Sequence, residues 1–206
     1  MRHFQQGSAL IISLVMLLLL TMVGVTGMNM TSLEERMSGN YRDHEMAFQA
    51  AEAALVEAEN FIESTDLTTN DFYTSPACST TNCFKADCSG GSVNGTSGGL
   101  CFTGTFTVSS EPVNSCVLDA SQPWKTMTRW STAGQVAEAD ALTNNSTEAK
   151  YIIEFRCFTV RDDTNASADP AILAQWALLF RITALANGGT NDSRVMLQST
   201  YKKLDF

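Results

Sequence analysis

The chain has 206 residues, with 13 lysines and arginines against 22 aspartates and glutamates, a net charge of −9. Once an apolar N-terminal stem is set aside, that length has room for one core and no more. No basic patch with interleaved aromatics is present, which argues against duplex DNA binding by this chain alone, because phosphate contacts need clustered lysine and arginine.

A short polar segment, residues 1–7, ends at Gly7, and no charged residue follows until Glu34. A run of about 20 apolar residues crosses a bilayer as one helix, since all its backbone hydrogen bonds are internal. Residues 9–25 are just long enough. Three readings compete: a secretory signal peptide cut near Val25-Thr26-Gly27, a plain membrane anchor, or a leader cut on its cytoplasmic side after Gly7, which leaves the apolar segment on the mature protein. The first is disfavoured by length, because the apolar core of a signal peptide is usually about 7–15 residues.

The helical pattern runs from Ser8 to about Glu63, weakened at Gly24, Gly27 and Gly39 by about 1 kcal/mol each. Beyond Gly39 it becomes amphipathic. Ala47, Ala51, Ala54, Leu55, Ala58, Phe61 and Ile62 recur at three- and four-residue spacing, with Glu45, Glu52, Glu57, Glu59 and Glu63 mainly elsewhere. Small residues dominate that stripe, so a sheet can approach the helix backbone closely.

From Thr65 to Gly99 the chain reads as turn-rich, with Ser89-Gly90-Gly91-Ser92 and Gly98-Gly99 as breakers. Residues 102–108 alternate as a short strand. Residues 151–160, 176–186 and 194–203 are strong β-formers, with 170–175 a loop or helical turn. The last two strands are separated by Asn187-Gly188-Gly189-Thr190-Asn191-Asp192 at hairpin-loop distance. The predicted fold is α+β, a long N-terminal helix packed on a C-terminal antiparallel sheet within 151–203. The stretch from Trp124 to Glu148 carries no clear signal.

Six cysteines, Cys78, Cys83, Cys88, Cys101, Cys116 and Cys157, all follow the apolar segment. An even number beyond a membrane segment reads as disulfides in an oxidising compartment. Region 78–116, poor in large apolar residues, needs covalent closure to hold itself, typically about 2–4 kcal/mol per bridge. The spacing lacks the close CxxC pair of a zinc site and has no histidine nearby. Asp162 and Asp163 have the oxygen chemistry of a calcium loop without the EF-hand spacing, so a polar turn is the expectation. His44, between Asp43 and Glu45, is expected on a solvated surface. No nucleophile elbow, phosphate loop or zinc-protease motif occurs. No catalytic residue, cofactor or metal is expected.

Gly7-Ser8-Ala9-Leu10-Ile11-Ile12-Ser13-Leu14, the run Leu17 to Leu20, Leu33-Glu34-Glu35-Arg36-Met37-Ser38-Gly39-Asn40 and Ala47-Phe48-Gln49-Ala50-Ala51-Glu52-Ala53-Ala54-Leu55 resemble the N-terminal region of type IV pilus minor pilins, most closely the PilX type. Arg194-Val195-Met196-Leu197-Gln198-Ser199-Thr200-Tyr201 resembles the family's last strand. The resemblance implies a pilin-like fold with a prepilin leader at 1–7, a membrane and filament stem at 8–33, its amphipathic continuation at 34–64 and a periplasmic or extracellular head at 65–206. It also implies cleavage between Gly7 and Ser8 by prepilin peptidase, N-methylation of Ser8, and a place first in the inner membrane and then in the pilus. The implied partners are other minor pilins, the major pilin and a large tip adhesin, in support of adhesion and twitching motility. Most pilins carry Glu at the fifth mature residue; here that position is Ile12. The K-type pseudopilin of type II secretion lacks it too, so the resemblance implies a place at the filament tip in a complex that initiates assembly. A type II secretion pseudopilin remains an alternative, as does a membrane-anchored extracellular binding module.

Overall fold

The computed structural model describes residues 8–72, 81–93, 95–103, 122–140, 148–164, 168–169, 172–190 and 192–204. The uninterrupted helical pattern gives one helix, α1 (Ser8–Ser64), and Gly24, Gly27 and Gly39 do not break it. By internal contacts the chain divides into two compact units, Met1–Arg42 and Asp43–Phe206. The second holds the rest of α1 and a six-stranded sheet built from β1 (Gly90–Val93), β2 (Thr96–Phe102), β3 (Ala137–Glu138), β4 (Ala149–Val160), β5 (Trp176–Asn187) and β6 (Arg194–Lys203). A short helix, α2 (Met127–Trp130), and 3-10 turns at Thr69–Phe72, Pro123–Lys125 and Leu173–Gln175 complete the described elements.

The strand order is β1-β2-β4-β5-β6, with β3 pairing β4 off that path. The three C-terminal strands are antiparallel, as expected, and β5 and β6 are joined at the hairpin distance that the sequence predicts. The sheet as a whole is mixed, because β2 runs parallel to β4. A parallel pair needs a long crossover, and here the chain between Phe102 and Ala149 supplies it. The alternating stretch expected at 102–108 coincides with β2 only at Phe102; residues 104–108 lie outside the described residues.

The glycines of the turn-rich stretch turn out to sit in and beside a hairpin. β1 and β2 pair antiparallel through an irregular register. Gly98 has φ of +100°, and a Cβ there would lie 2.1 Å from the Gly134 carbonyl oxygen, so both conformation and space require glycine. The signal that reads as a chain break is a signal for close backbone approach.

The alanine stripe does what its size allows. Ala47, Ala50, Ala51, Ala54 and Ala58 are buried with Leu55 and Ile62 against the inward residues of the sheet, Tyr151, Ile153, Phe155, Phe180 and Ile182 among them. At one end of this core Phe72 stacks on Phe155 with centroids 4.1 Å apart, and Phe84, Phe102, Phe158 and Phe180 surround the pair. A bulge between Phe155 and Cys157 explains how Phe155 and Phe158, three residues apart, both reach the helix side.

The opposite face of the sheet is also covered. Ile152 and Leu185 pack with Trp130, Val136 and the Cys88–Cys101 disulfide in a second, smaller core. Beside it Glu154, fully buried, accepts two hydrogen bonds from Arg181 directly across the β4–β5 ladder, at 2.7 and 2.6 Å. The Arg181 guanidinium also lies over the Trp124 ring at 5.9 Å. This pair is bidentate, the geometry that best offsets desolvation of two charges.

Enlarging the helix stripe should force helix and sheet apart. Ala54→Leu is expected to destabilise the head by about 1–3 kcal/mol through overpacking, read as a lower urea midpoint of detergent-solubilised protein; an unchanged midpoint would contradict the close helix–sheet contact.

Candidate assembly interface

In the first unit, the large apolar side chains of α1 among the described residues are exposed. Leu10, Ile11, Ile12, Leu14, Val15, Met16, Leu17, Leu18, Leu19 and Leu20 are all exposed, and so are the large apolar residues from Met22 to Leu33. Within Ala9–Ser64 the most apolar stretch is long and apolar enough to cross a membrane, and none of it is buried. Contiguous apolar surface on that scale marks a membrane or protein partner. The hydroxyls of Ser13, Thr21, Thr26 and Thr31 donate to carbonyls three or four residues back, at 2.8–3.1 Å. Each satisfies itself within the helix, as a dry environment requires.

Of the residues singled out by sequence, Gly7 lies outside the described residues, and Ser8 is the first residue of α1. Ile12 is 60% exposed on the stem. Cys88 and Cys101 are bonded to each other. Cys83 and Cys157 are buried and disulfide-bonded, while Cys78 and Cys116 fall outside the described residues. The stem residues and the cysteines therefore belong to different units. His44 is exposed. Asp162 accepts hydrogen bonds from the Thr164 backbone N–H and hydroxyl at 2.9 and 2.7 Å, and Asp163 meets Lys202 at 3.2 Å, the arrangement of a polar turn. Among the described residues no three His, Cys, Asp or Glu side chains are grouped to hold a metal.

The sequence reading missed the polar contacts that fasten α1 to the sheet. Glu57 accepts from the Tyr151 hydroxyl at 3.1 Å and the Asp140 N–H at 2.9 Å, Glu59 accepts from Ser199 at 3.0 Å, and Glu63 pairs with the Tyr201 hydroxyl. Burial, reinforced by the Glu57 charge, pushes the Tyr151 phenol far up. The hydrogen bond to Glu63, with some burial, raises that of Tyr201 to about 12. Both stay protonated donors at neutral pH. At the end of α1, which has no basic residue in its last turn, Lys203 donates to the carbonyls of Ile62, Glu63 and Thr65 at 2.7, 3.0 and 3.0 Å. An ammonium from β6 thereby satisfies orphan carbonyls at the negative end of the helix dipole.

Asp43 anchors the other end of the buried helix. Its carboxylate accepts from the Thr190 N–H at 3.0 Å and the Thr190 hydroxyl at 2.7 Å, in the turn between β5 and β6. The turn comes so close that a Cβ on Gly188 would lie 2.5 Å from Asp43 Oδ2. The Thr190 hydroxyl, then the Ser193 side chain, hold the Asp43 carboxyl below its ordinary value, with burial opposing. A depressed folded-state value means that the stabilisation is present above the unfolded value of about 3.9 and is lost as pH falls through the folded one. Amide exchange at Thr190 should therefore be slow at neutral pH and should accelerate, relative to its intrinsic rate, only in acid below that value. Asp43→Asn should remove the acid step; a Thr190 amide equally protected on both sides of it would contradict the anchor.

Family comparison agrees with this division of labour. The PilX N-terminal family matches residues 6–56, and the type IV pilus assembly protein PilX C-terminal family matches residues 65–203. No curated protein and no solved structure matches the chain. The PilX family is a structural component of the pilus, and its matches here run through the apolar stem, the helix of the head and the whole described sheet. This chain belongs to the PilX family and is a minor pilin of a type IV pilus.

Proposed function

We propose that the chain is made as a prepilin in the inner membrane, N-terminus cytoplasmic, and cut by prepilin peptidase between Gly7 and Ser8, with N-methylation of Ser8. It then joins other minor pilins in a complex at the filament tip that initiates assembly above the major pilin and carries a large adhesin, so serving adhesion and twitching motility. The observation that carries this reading is the uncharged, uncovered stem with an apolar Ile12 at its fifth residue. A carboxylate at mid-membrane depth costs about 3 kcal/mol on translocon-based scales, and a subunit with nothing above it has no amine for that carboxylate to meet. Stem residues are covered by lipid before assembly and by other stems after it. At about 25 cal/mol per Å² kept from water, hydration favours neither place, so close side-chain packing decides. The family match across the head supports a pilus over a secretion system. Closure of all six cysteines into three bridges belongs to the same reading.

Sheared pili test processing and position together. The protein in them should have the mass of a chain beginning at N-methylated Ser8, and immunogold against its head should label one end of a filament. A mature N-terminus at Met28, or label at several points along each shaft, would refute the reading.

A further inference from the structure

The second face of the sheet carries a groove beside the small core. Alternate residues of a strand share a face, and Lys150 is paired with Leu185 and Asn187 with Arg194 across the ladders. Glu148, just before β4, accepts the Asn187 backbone N–H at 3.2 Å. These five residues, with Met127, Trp130 and Ser131 from α2 and its end, line a cavity of about 310 Å³. A second cavity of about 340 Å³ shares Trp130, Ser131 and Lys150 with the first and adds Ser97, Thr132 and Glu138. Lys150 thus stands where the two meet.

Lys150 Nζ donates to the Trp130 carbonyl at 3.5 Å and Arg194 Nε to Asn187 Oδ1 at 3.3 Å, which positions both cations. Among the described residues neither forms an ion pair, although the chain has a net charge of −9 and Glu138 and Glu148 line the same cavities. Two cations without counter-ions beside the apolar side chains of Met127, Trp130 and Leu185 suit a carboxylate carried close to an apolar group. The first cavity lies at the small end of ligand pockets, about 300–1,000 Å³, and holds one large side chain. The hydroxyl-lined second cavity next to it suits the backbone of a longer chain. Glu138 and Glu148 disfavour a polyanion, and Trp130, only 5% exposed, offers no ring face on which a sugar could stack.

We propose that this groove binds an extended acidic peptide of a partner protein. An acidic side chain lies between Lys150 and Arg194, and a large apolar one, two residues along and so on the same side of the peptide, enters the cavity over Leu185. The site does not depend on where in the filament the subunit sits.

Fluorescence anisotropy of a labelled acetyl-Ser-Glu-Ser-Leu-Ser-amide peptide, added to full-length protein in detergent, tests the groove. It should bind with a Kd of about 1 mM or tighter, and at least about tenfold more tightly than the same peptide with Gln in place of Glu. Lys150→Met with Arg194→Met should weaken it by at least about tenfold, with formation of the Cys88–Cys101 bridge as the check that the head folds. If that variant does not fold, Met127→Glu, at a side chain 47% exposed, decides by the same loss. Binding weaker than about 1 mM, equal binding of the Glu and Gln peptides, or unchanged binding by a folded variant would overturn the proposal. Displacement of the peptide by an equal concentration of inorganic phosphate would do so too, by showing a plain anion site, as would self-association of the protein that the same variants abolish, by showing a second copy as the occupant.

Discussion

The contact between a stripe of alanines and the inner face of a sheet is the constraint on which the head depends. With Ala47, Ala51, Ala54 and Ala58 fully buried, the helix axis can approach the strands closely enough for glutamates flanking the stripe to reach hydroxyls on β4 and β6. Larger side chains would fill the same space but hold those groups apart. Asp43 and Lys203 then fix the two ends of the packed part of α1, one through the β5–β6 turn and the other through the helix's last carbonyls. Packing sets the distance, and hydrogen bonds set the position along the axis.

The second face of the sheet follows from the first. β4 is buried almost along its whole length, so residues pointing away from α1 also need a cover. Ile152 and Leu185 obtain one from Trp130, Val136 and the Cys88–Cys101 bridge, which ties the segment before β1 to the end of β2. The buried Glu154–Arg181 pair lies on this side. Loss of either partner alone would strand a charge away from water, a change that typically costs about 3–5 kcal/mol. The small second core thus tolerates ionic groups only as a complete pair.

How much of this was legible depended on the range of each interaction. α1, its alanine stripe and strands β4 to β6 show in the sequence because periodicity and β-branched or aromatic runs are local signals. β1 and β2 did not, because glycines that permit close backbone approach at Gly98 have the same signature as a turn. The parallel pairing of β2 with β4 has no local signature at all, and the bulge at Arg156 is one extra residue inside an otherwise regular strand. Asp43 and Lys203 were invisible for a related reason: their partners lie 147 and 141 residues away in the chain. Stem features were legible because their signal is local, a long run without charge.

The central claim is that the apolar stem is dry in two different places. A polarity-sensitive fluorescent amino acid at position 18, where Leu18 is exposed on the isolated chain, reports this directly when compared in membrane vesicles and in sheared pili. The account predicts blue-shifted emission, inaccessible to an aqueous quencher, in both samples. Emission at the wavelength of water, quenched by iodide in the assembled filament, would contradict it.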